Sequence, residues 1–538
     1  MTGALPKKGP LEAVRPALAD IGAVKIPVRQ IRFSGAADLV PETELQALVR
    51  DGVGTDLDFT GLQGLASKVT AYLRSRGWPL ARAYLPRQDV TAGRIEIAIL
   101  EGKLESGGGG WRIALAEGAR LAPGRLAAMA EAAAPSGGEV RQEKLERALL
   151  LMNDLPGLHA SARLERGSEN GTTRAVVDAR EGPLLTGSVW ADNYGNDSTG
   201  QAQASTILSL NDPCGYGDQV NLSATASGGL QLARLGYDFP LGARGLRAGL
   251  GATLLRYEVV EGSGEAAGFD GQSWILLAGL AYPIVRTRAL NLKGVLDFGH
   301  KALRDDSRAG PLRDRRIDAF TLALQGNRLD PWGGGGLTGG SVGLTYGDLD
   351  LSRVLADEAA DAATLRTQGR YSKINLNLSC LQQLPARFTL LGRFSAQWTQ
   401  QNLDSSEQFF LGGPLGLRAY PLGEGQGDEG WLAGLDFGYD VPGGTPWGDL
   451  QLSAFLDTGR IRLHHDAGSL TIATATGQNT YGLSGAGLGL DLGQSGSHVL
   501  RLFWAHTLGD NPGRSLDGDD VDGESDLNRF WLQLILWI

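Results

Sequence analysis

The chain's 538 residues exceed one ordinary domain, and 50 Lys and Arg against 60 Asp and Glu leave a formal net charge of −10. That acidic balance gives no reason to expect nucleic-acid binding, and the lack of eighteen consecutive apolar residues argues against a helical membrane protein. A hydrophobic content of 42 % with 79 glycines suits strands that have one apolar face and tight turns between them.

The first residues lack the charged start and apolar core of a secretory signal, so the chain reads as a mature or recombinant form beginning at an added Met1. Residues 1–25 make an N-terminal segment in which "PLEAVRPALADIG" reads as a short helix interrupted by Pro16. One pattern then occurs twice, about 80 residues apart: Gly77 and Gly157 each end a helix, and "IEIAILEG" and "RAVVDAREG" close on Glu101-Gly102 and Glu181-Gly182. In the first copy "VRQIRFSGA" predicts a strand, and Pro41-Glu42 opens a helix with Leu45, Leu48 and Val49 on one side. Leu62, Leu65, Val69 and Leu73 give a second helix that stops at Gly77, and strands follow at Leu80 to Leu85 and Arg94 to Leu100. The unit is β-α-α-β-β. The second copy places helices around Pro123 to Ala134 and over Leu145, Ala148, Leu149 and Met152, with Gly107 to Gly110 as the joint between copies. Such a module has a sheet edge that accepts an extended peptide as an added strand; the plainer alternative is a spacer or assembly contact.

From Leu184 to Ile538 about sixteen short alternating strands follow. Ser372 to Cys380 puts Ile374, Leu376, Leu378 and Cys380 on one face and Lys373, Asn375, Asn377 and Ser379 on the other. Val220 to Ser227 alternates in the same way. Links after even-numbered strands are short ("NDPCGYGD", "FPLGARG", "LQQLPAR", "VPGGTPWG", "GQSGS"). Several odd-numbered links are long and polar: Asp348 to Gly369, Gly459 to Thr480 and Gly509 to Asn528. Short turns on one rim and long loops on the other point to a bacterial outer-membrane barrel rather than a soluble sandwich. The chain ends on "RFWLQLILWI", whose Phe530, Leu532, Leu534, Leu536 and Ile538 share a face that lipid would cover. Cys214, in a short turn, and Cys380, on an apolar strand face, are too few for a disulfide framework and read as free thiols.

Four local patterns resemble one family: "DNYGNDSTG" at Asp192 to Gly200, "YPIVRTR" at Tyr282 to Arg288, "SEQFFLGGPLGLRAYPLGEGQGDEG" at Ser406 to Gly430 and "FLDTGR" at Phe455 to Arg460. The chain is identified by them as similar to the TpsB transporters of two-partner secretion, within the BamA-type superfamily of POTRA-plus-barrel proteins. The resemblance implies a mainly β fold, with two α+β POTRA domains at residues 26–104 and 105–183 and a sixteen-stranded transmembrane antiparallel barrel at 184–538. It implies a lumenal sixth loop at about 413–429 whose VRGY-like motif is here Leu417, Arg418, Ala419 and Tyr420. The loop Arg characteristically reaches the Asp of an F-x-D-x-G motif on the wall, matched by Phe455, Asp457 and Gly459. Strand parity is compatible with this: Leu450, Leu452, Ala454 and Leu456 take the lipid face, which turns Gln451, Ser453, Phe455 and Asp457 to the lumen. A carboxylate unpaired in lipid would be costly, whereas one inside can meet an Arg. The family usually has Gly where Ala419 stands, a difference that matters if the backbone there needs positive φ. Members often carry a pore-plugging helix ahead of the first module, where this chain has only its interrupted segment.

The expected function is outer-membrane export. Periplasmic POTRA domains recognise an unfolded, β-helical partner exoprotein of the TpsA type, and the barrel, a monomer among outer-membrane lipids, passes it to the cell surface. Folding of the client outside would drive the process. The same architecture serves BamA-like insertases that assemble other barrels, although those usually carry three or more POTRA domains. A passive porin would leave the duplicated module and the Arg418 motif without a use. No enzyme, cofactor, metal or nucleic-acid partner is expected: His464-His465-Asp466 lies in a long loop as a solvated turn, and "GEGQGDEG" lacks the strand and helix that a phosphate loop needs.

Overall fold

A computed structural model of the protein describes residues 16–19, 24–36, 39–169, 172–468 and 470–538. The chain divides into two compact units, Met1–Gly182 and Pro183–Ile538.

The first unit holds both copies of the repeated module. In the first, strand Gln30–Gly35 runs parallel to Arg94–Leu100, which pairs antiparallel with Arg82–Tyr84 on its other side. Helix Phe59–Ser75 starts where Asp58 accepts the Gly61 N–H at 2.8 Å, and its Leu62, Leu65, Val69 and Leu73 meet Leu45, Val49, Ile95 and Ile97 in the core. The helix ends before Gly77, whose φ of 86° takes the left-handed conformation that a glycine enters at little cost. In the second copy Leu158–Arg166 and Trp111–Leu115 flank Thr172–Glu181, and Ala148, Leu151 and Met152 of helix Gln142–Asn153 are buried. The glycine run is not a joint between the copies. Lys103–Leu104 already pairs with Thr172 and Thr173 of the second sheet, so Gly107 to Gly110 is a turn between two strands that share one partner. The helix expected within residues 10–22 falls mostly outside the described residues, and its described part, Pro16 to Ala19, is not helical: Leu18 N–H donates to Leu85 O at 2.9 Å and Arg87 N–H to Pro16 O at 2.8 Å.

The second unit is a closed barrel of sixteen antiparallel strands, from Leu185–Asp192 to Asn528–Trp537. Alternation sorts each strand as expected. Leu235, Leu250, Leu276, Leu322, Leu344, Leu378, Leu456 and Leu532 are exposed on the outside, while Phe455, Asp457 and Trp531 are buried on the lumenal side. Outward-facing Trp274, Trp398, Trp504 and Phe530 lie near the long-loop rim, and Tyr282 and Phe437 near the short-turn rim, the two aromatic girdles of a lipid-facing barrel. No described helix is long and apolar enough to cross a membrane.

Two details depart from the expected loop pattern. The link after the seventh strand, Leu290–Ser307, is only Arg308 and Ala309, because that strand and the eighth, Gly310–Asp330, run on past the apolar belt as a polar hairpin. The Asp348–Gly369 link contains a helix, Leu355–Ala363, whose acidic first turn suits a helix N-terminus.

Candidate functional site

Inside the barrel lies the link between the eleventh strand, Phe388–Thr399, and the twelfth, Glu429–Asp440. It is longer than the expected 413–429. It leaves the wall after Thr399, forms a two-residue ladder of Phe409–Phe410 with Gln426–Gly427, and carries a compact tip between them. Within the tip Gly413 N–H donates to Tyr420 O at 3.1 Å, Leu417 N–H to Leu411 O at 2.7 Å and Tyr420 N–H to Leu417 O at 3.1 Å. These bonds fix the order in which side chains face the wall.

Each of the four motif residues meets a wall partner. Leu417 packs with Leu411 over Gly459, where an added Cβ would lie 2.7 Å from Leu411 and 3.2 Å from Leu417. Arg418 donates from Nε to Asp457 Oδ2 and from Nη2 to Asp457 Oδ1, both at 2.8 Å, and from Nη1 to Asp436 Oδ1 at 2.6 Å. Its guanidinium lies 3.4 Å from the centre of the Phe455 ring. Ala419 is fully buried against Gly485 of the fourteenth strand, Thr480–Gln494, and is not among the residues with positive φ, so the methyl group is accommodated by the missing Cβ opposite. Tyr420 donates its hydroxyl to Ser484 O at 3.4 Å. Phe455, Asp457 and Gly459 thus use one lumenal row at period two as a ring platform, a charge partner and a flat seat.

Other anchors were not anticipated from the sequence. Asp436, shared by Arg418 and Arg393, is legible by parity, since Leu435 and Phe437 on either side face outward. Trp531 of the last strand donates Nε1–H to Arg418 O at 2.7 Å. At the base of the loop Asp404 takes two bonds from Arg315, at 2.8 and 3.1 Å. Buried Glu407 sits between Lys301 and Lys373. Asp428 accepts Leu403 N–H at 3.1 Å, Gln408 Nε2 at 2.8 Å and His465 N–H at 2.9 Å, and burial pushes its carboxyl above the usual carboxylate range. Glu424, also pushed up by burial, accepts Asn511 Nδ2 and Val521 N–H, each at 2.8 Å, from the link before the last strand. His464 and His465 cap this loop region, and no cluster of metal-ligating side chains occurs among the described residues. The arrangement holds the folded-in arm by its tip and by its base.

Residues 171–492 match the family described as haemolysin secretion/activation protein ShlB/FhaC/HecB, and residues 26–102 match the ShlB-type POTRA domain. The heme/hemopexin transporter protein HuxB of Haemophilus influenzae is 25% identical over 95% of this chain and 87% of its own length. The outer membrane transporter CdiB of Escherichia coli is 27% identical over 77% of this chain and 67% of its own. The solved structure of CdiB from Escherichia coli superposes with a TM-score of 0.72 at 20% identity, covering 99% of this chain and 94% of that one. BamA from Haemophilus ducreyi lacking POTRA domains 1–3 gives a TM-score of 0.53 at 13% identity, covering 96% of this chain and 100% of that one, a likeness of fold. With POTRA-like modules ahead of a closed sixteen-stranded barrel, the chain belongs to the haemolysin secretion/activation protein ShlB/FhaC/HecB family, the non-enzymatic outer-membrane transporters that secrete a partner exoprotein in two-partner secretion.

Proposed function

We propose that this transporter, as a monomer, takes an unfolded and β-helical exoprotein at a strand edge of its N-terminal modules and passes it through a lumen whose resting state is set by the seated Arg418 loop. The observation that carries this reading is the tip itself: four consecutive residues, Leu417 to Tyr420, each matched to a wall partner inside the pore. An arm held that specifically is a gate rather than a filler.

Client capture is supported by the edge strand Leu158–Arg166. Ala160 turns its backbone away from the sheet to the Asn153 carboxamide, which donates to Ala160 O at 2.8 Å and accepts its N–H at 2.9 Å. By the period of two, Ala162 and Leu164, both exposed, turn their backbone the same way and offer a short edge to an extended chain. The first client to try is an exoprotein that handles haem or hemopexin, because the similarity to HuxB spans most of both chains.

Release of the exoprotein encoded beside this chain's gene tests the reading, in cells that carry the chain or its Asp457→Ala form. Surface release that requires the chain and falls in the variant is expected. No release, with depletion of other outer-membrane barrels when the chain is absent, would replace export by an insertase role.

A further inference from the structure

The barrel closes on its shortest registered ladder. First strand Leu185–Asp192 and last strand Asn528–Trp537 share five registered pairs, Ser188↔Trp537 to Asp192↔Gln533, whereas the first and second strands share eight. Among the described residues no other neighbouring barrel strands share so few. Beyond the fifth pair, Asp192↔Gln533, the seam continues through Asn193.

Asn193 extends the ladder with its side chain. Its Nδ2 donates to Phe530 O at 2.8 Å and its Oδ1 accepts Leu532 N–H at 2.8 Å, so one carboxamide replaces the backbone of a missing partner residue. Asn193 N–H also donates to Leu532 O at 3.2 Å, and Gln533 Nε2 reaches Asp192 Oδ2 at 3.3 Å. Between the two backbone groups held by Asn193 stands Trp531, which points into the lumen and donates to Arg418 O at 2.7 Å. Tyr194 meets the Trp531 ring edge to face, with centroids 5.8 Å apart, and Asn196 Nδ2 donates to Leu422 O of the loop at 3.5 Å.

We propose that Asp192 to Asn196 is a latch that closes the long-loop end of the seam and couples it to the seated loop, with Asn193 and Trp531 as its positioning residues. The proposal rests on the reading of the Arg418 loop as a gate. Because Phe530 O and Leu532 N–H fix the backbone on both sides of Trp531, a loosened seam misaims the indole and a lifted loop frees it. Coupling of this kind is reciprocal: whatever factor an open seam contributes to loop release, a released loop contributes to seam opening.

Amide hydrogen exchange on the full-length chain in detergent measures both ends at once. In Asn193→Ala, exchange at 530–533 rises about tenfold, the order expected for one or two lost hydrogen bonds, and exchange at 411–421 rises with it. Trp531→Phe keeps the ring and removes the donor, and both segments accelerate again. Asn193→Asp keeps the acceptor for Leu532 N–H and shows a smaller effect at both. Amides of the seventh strand, Leu290–Ser307, stay as in the parent. Acceleration at 530–533 with 411–421 unchanged overturns the coupling, no acceleration at 530–533 overturns the latch, and acceleration in the seventh strand as well reduces the effect to general destabilisation. If both segments accelerate as expected while Arg418→Ala secretes normally, the latch stands and the gate reading fails.

Discussion

Arg418 and Asp457, 39 residues apart in the chain, form a two-bond pair in which both contacts are 2.8 Å and neither residue is more than 2% exposed. A pair so buried returns little net stability, but the loss of one member strands the other at a cost of about 3–5 kcal/mol. Each member therefore depends on the other being in place.

Unequal effects follow for its two members. Arg418→Ala leaves Asp457 with no cation, while Asp436 keeps Arg393 at 2.8 Å. Asp457→Asn leaves Arg418 still paired with Asp436. Secretion is expected to fall in both and further in Arg418→Ala, with the folded barrel still shown by its heat-dependent mobility on gels. Equal secretion by all three proteins would remove the pair from the transport mechanism.

A single methyl group should unseat the tip. The Cβ of Gly485→Ala would lie 2.4 Å from the Ala419 Cβ, too close for either backbone to absorb without moving. Greater protease sensitivity of the loop and lower secretion are expected, and Ala419→Gly in the same chain should reverse both. Failure of the second change to rescue would mean that Gly485 matters through its own strand.

Glu407 offers a separate test at the base of the loop. It is buried with Lys301 and Lys373, and Lys373 Nζ reaches Glu407 Oε2 at 2.8 Å and Glu407 O at 2.7 Å. Glu407→Ala leaves two lysines facing each other and should lower the thermal midpoint more than Lys301→Met, which leaves the Lys373 pair intact. Midpoints that fall equally would show that the base is not held by this carboxylate.

The contact between Glu424 and the 508–527 link should strengthen in mild acid. Burial raises this carboxyl in the folded protein, so the seated state holds the proton more tightly than the released one. Its contribution is complete below the ordinary carboxylate range and is lost as pH rises through the raised value. Protection at 508–527, taken as exchange relative to the intrinsic amide rate at each pH, is expected to be greater in mild acid than at neutral pH, and Glu424→Gln should flatten that dependence. A pH profile unchanged by the substitution would assign the effect to another group, such as Asp520 or Asp522, whose charges also push Glu424 up.

Strand periodicity and link lengths together determined the barrel. Alternation in Ser372 to Cys380 or Leu450 to Gly459 assigns each residue to lipid or lumen because a strand has only two faces, and the alternation of short and long links orients the whole. The lumenal side of Asp457 was legible in the same way, as was that of Asp436. The glycines and Glu-Gly closings recurring about 80 residues apart revealed the repeated module, and helical spacing placed its helices, although Leu151 packs inward where Leu145 and Leu149 are only half-buried. What faces what across the pore could not be read from local pattern. The glycines under the tip, the Lys301–Glu407–Lys373 cluster, Trp531 on the Arg418 carbonyl and the Asn193 carboxamide on the last strand each join segments far apart in sequence. Sheet register and the path of the loop decide those contacts, and both are set by closure of the whole barrel, which no short stretch of residues encodes.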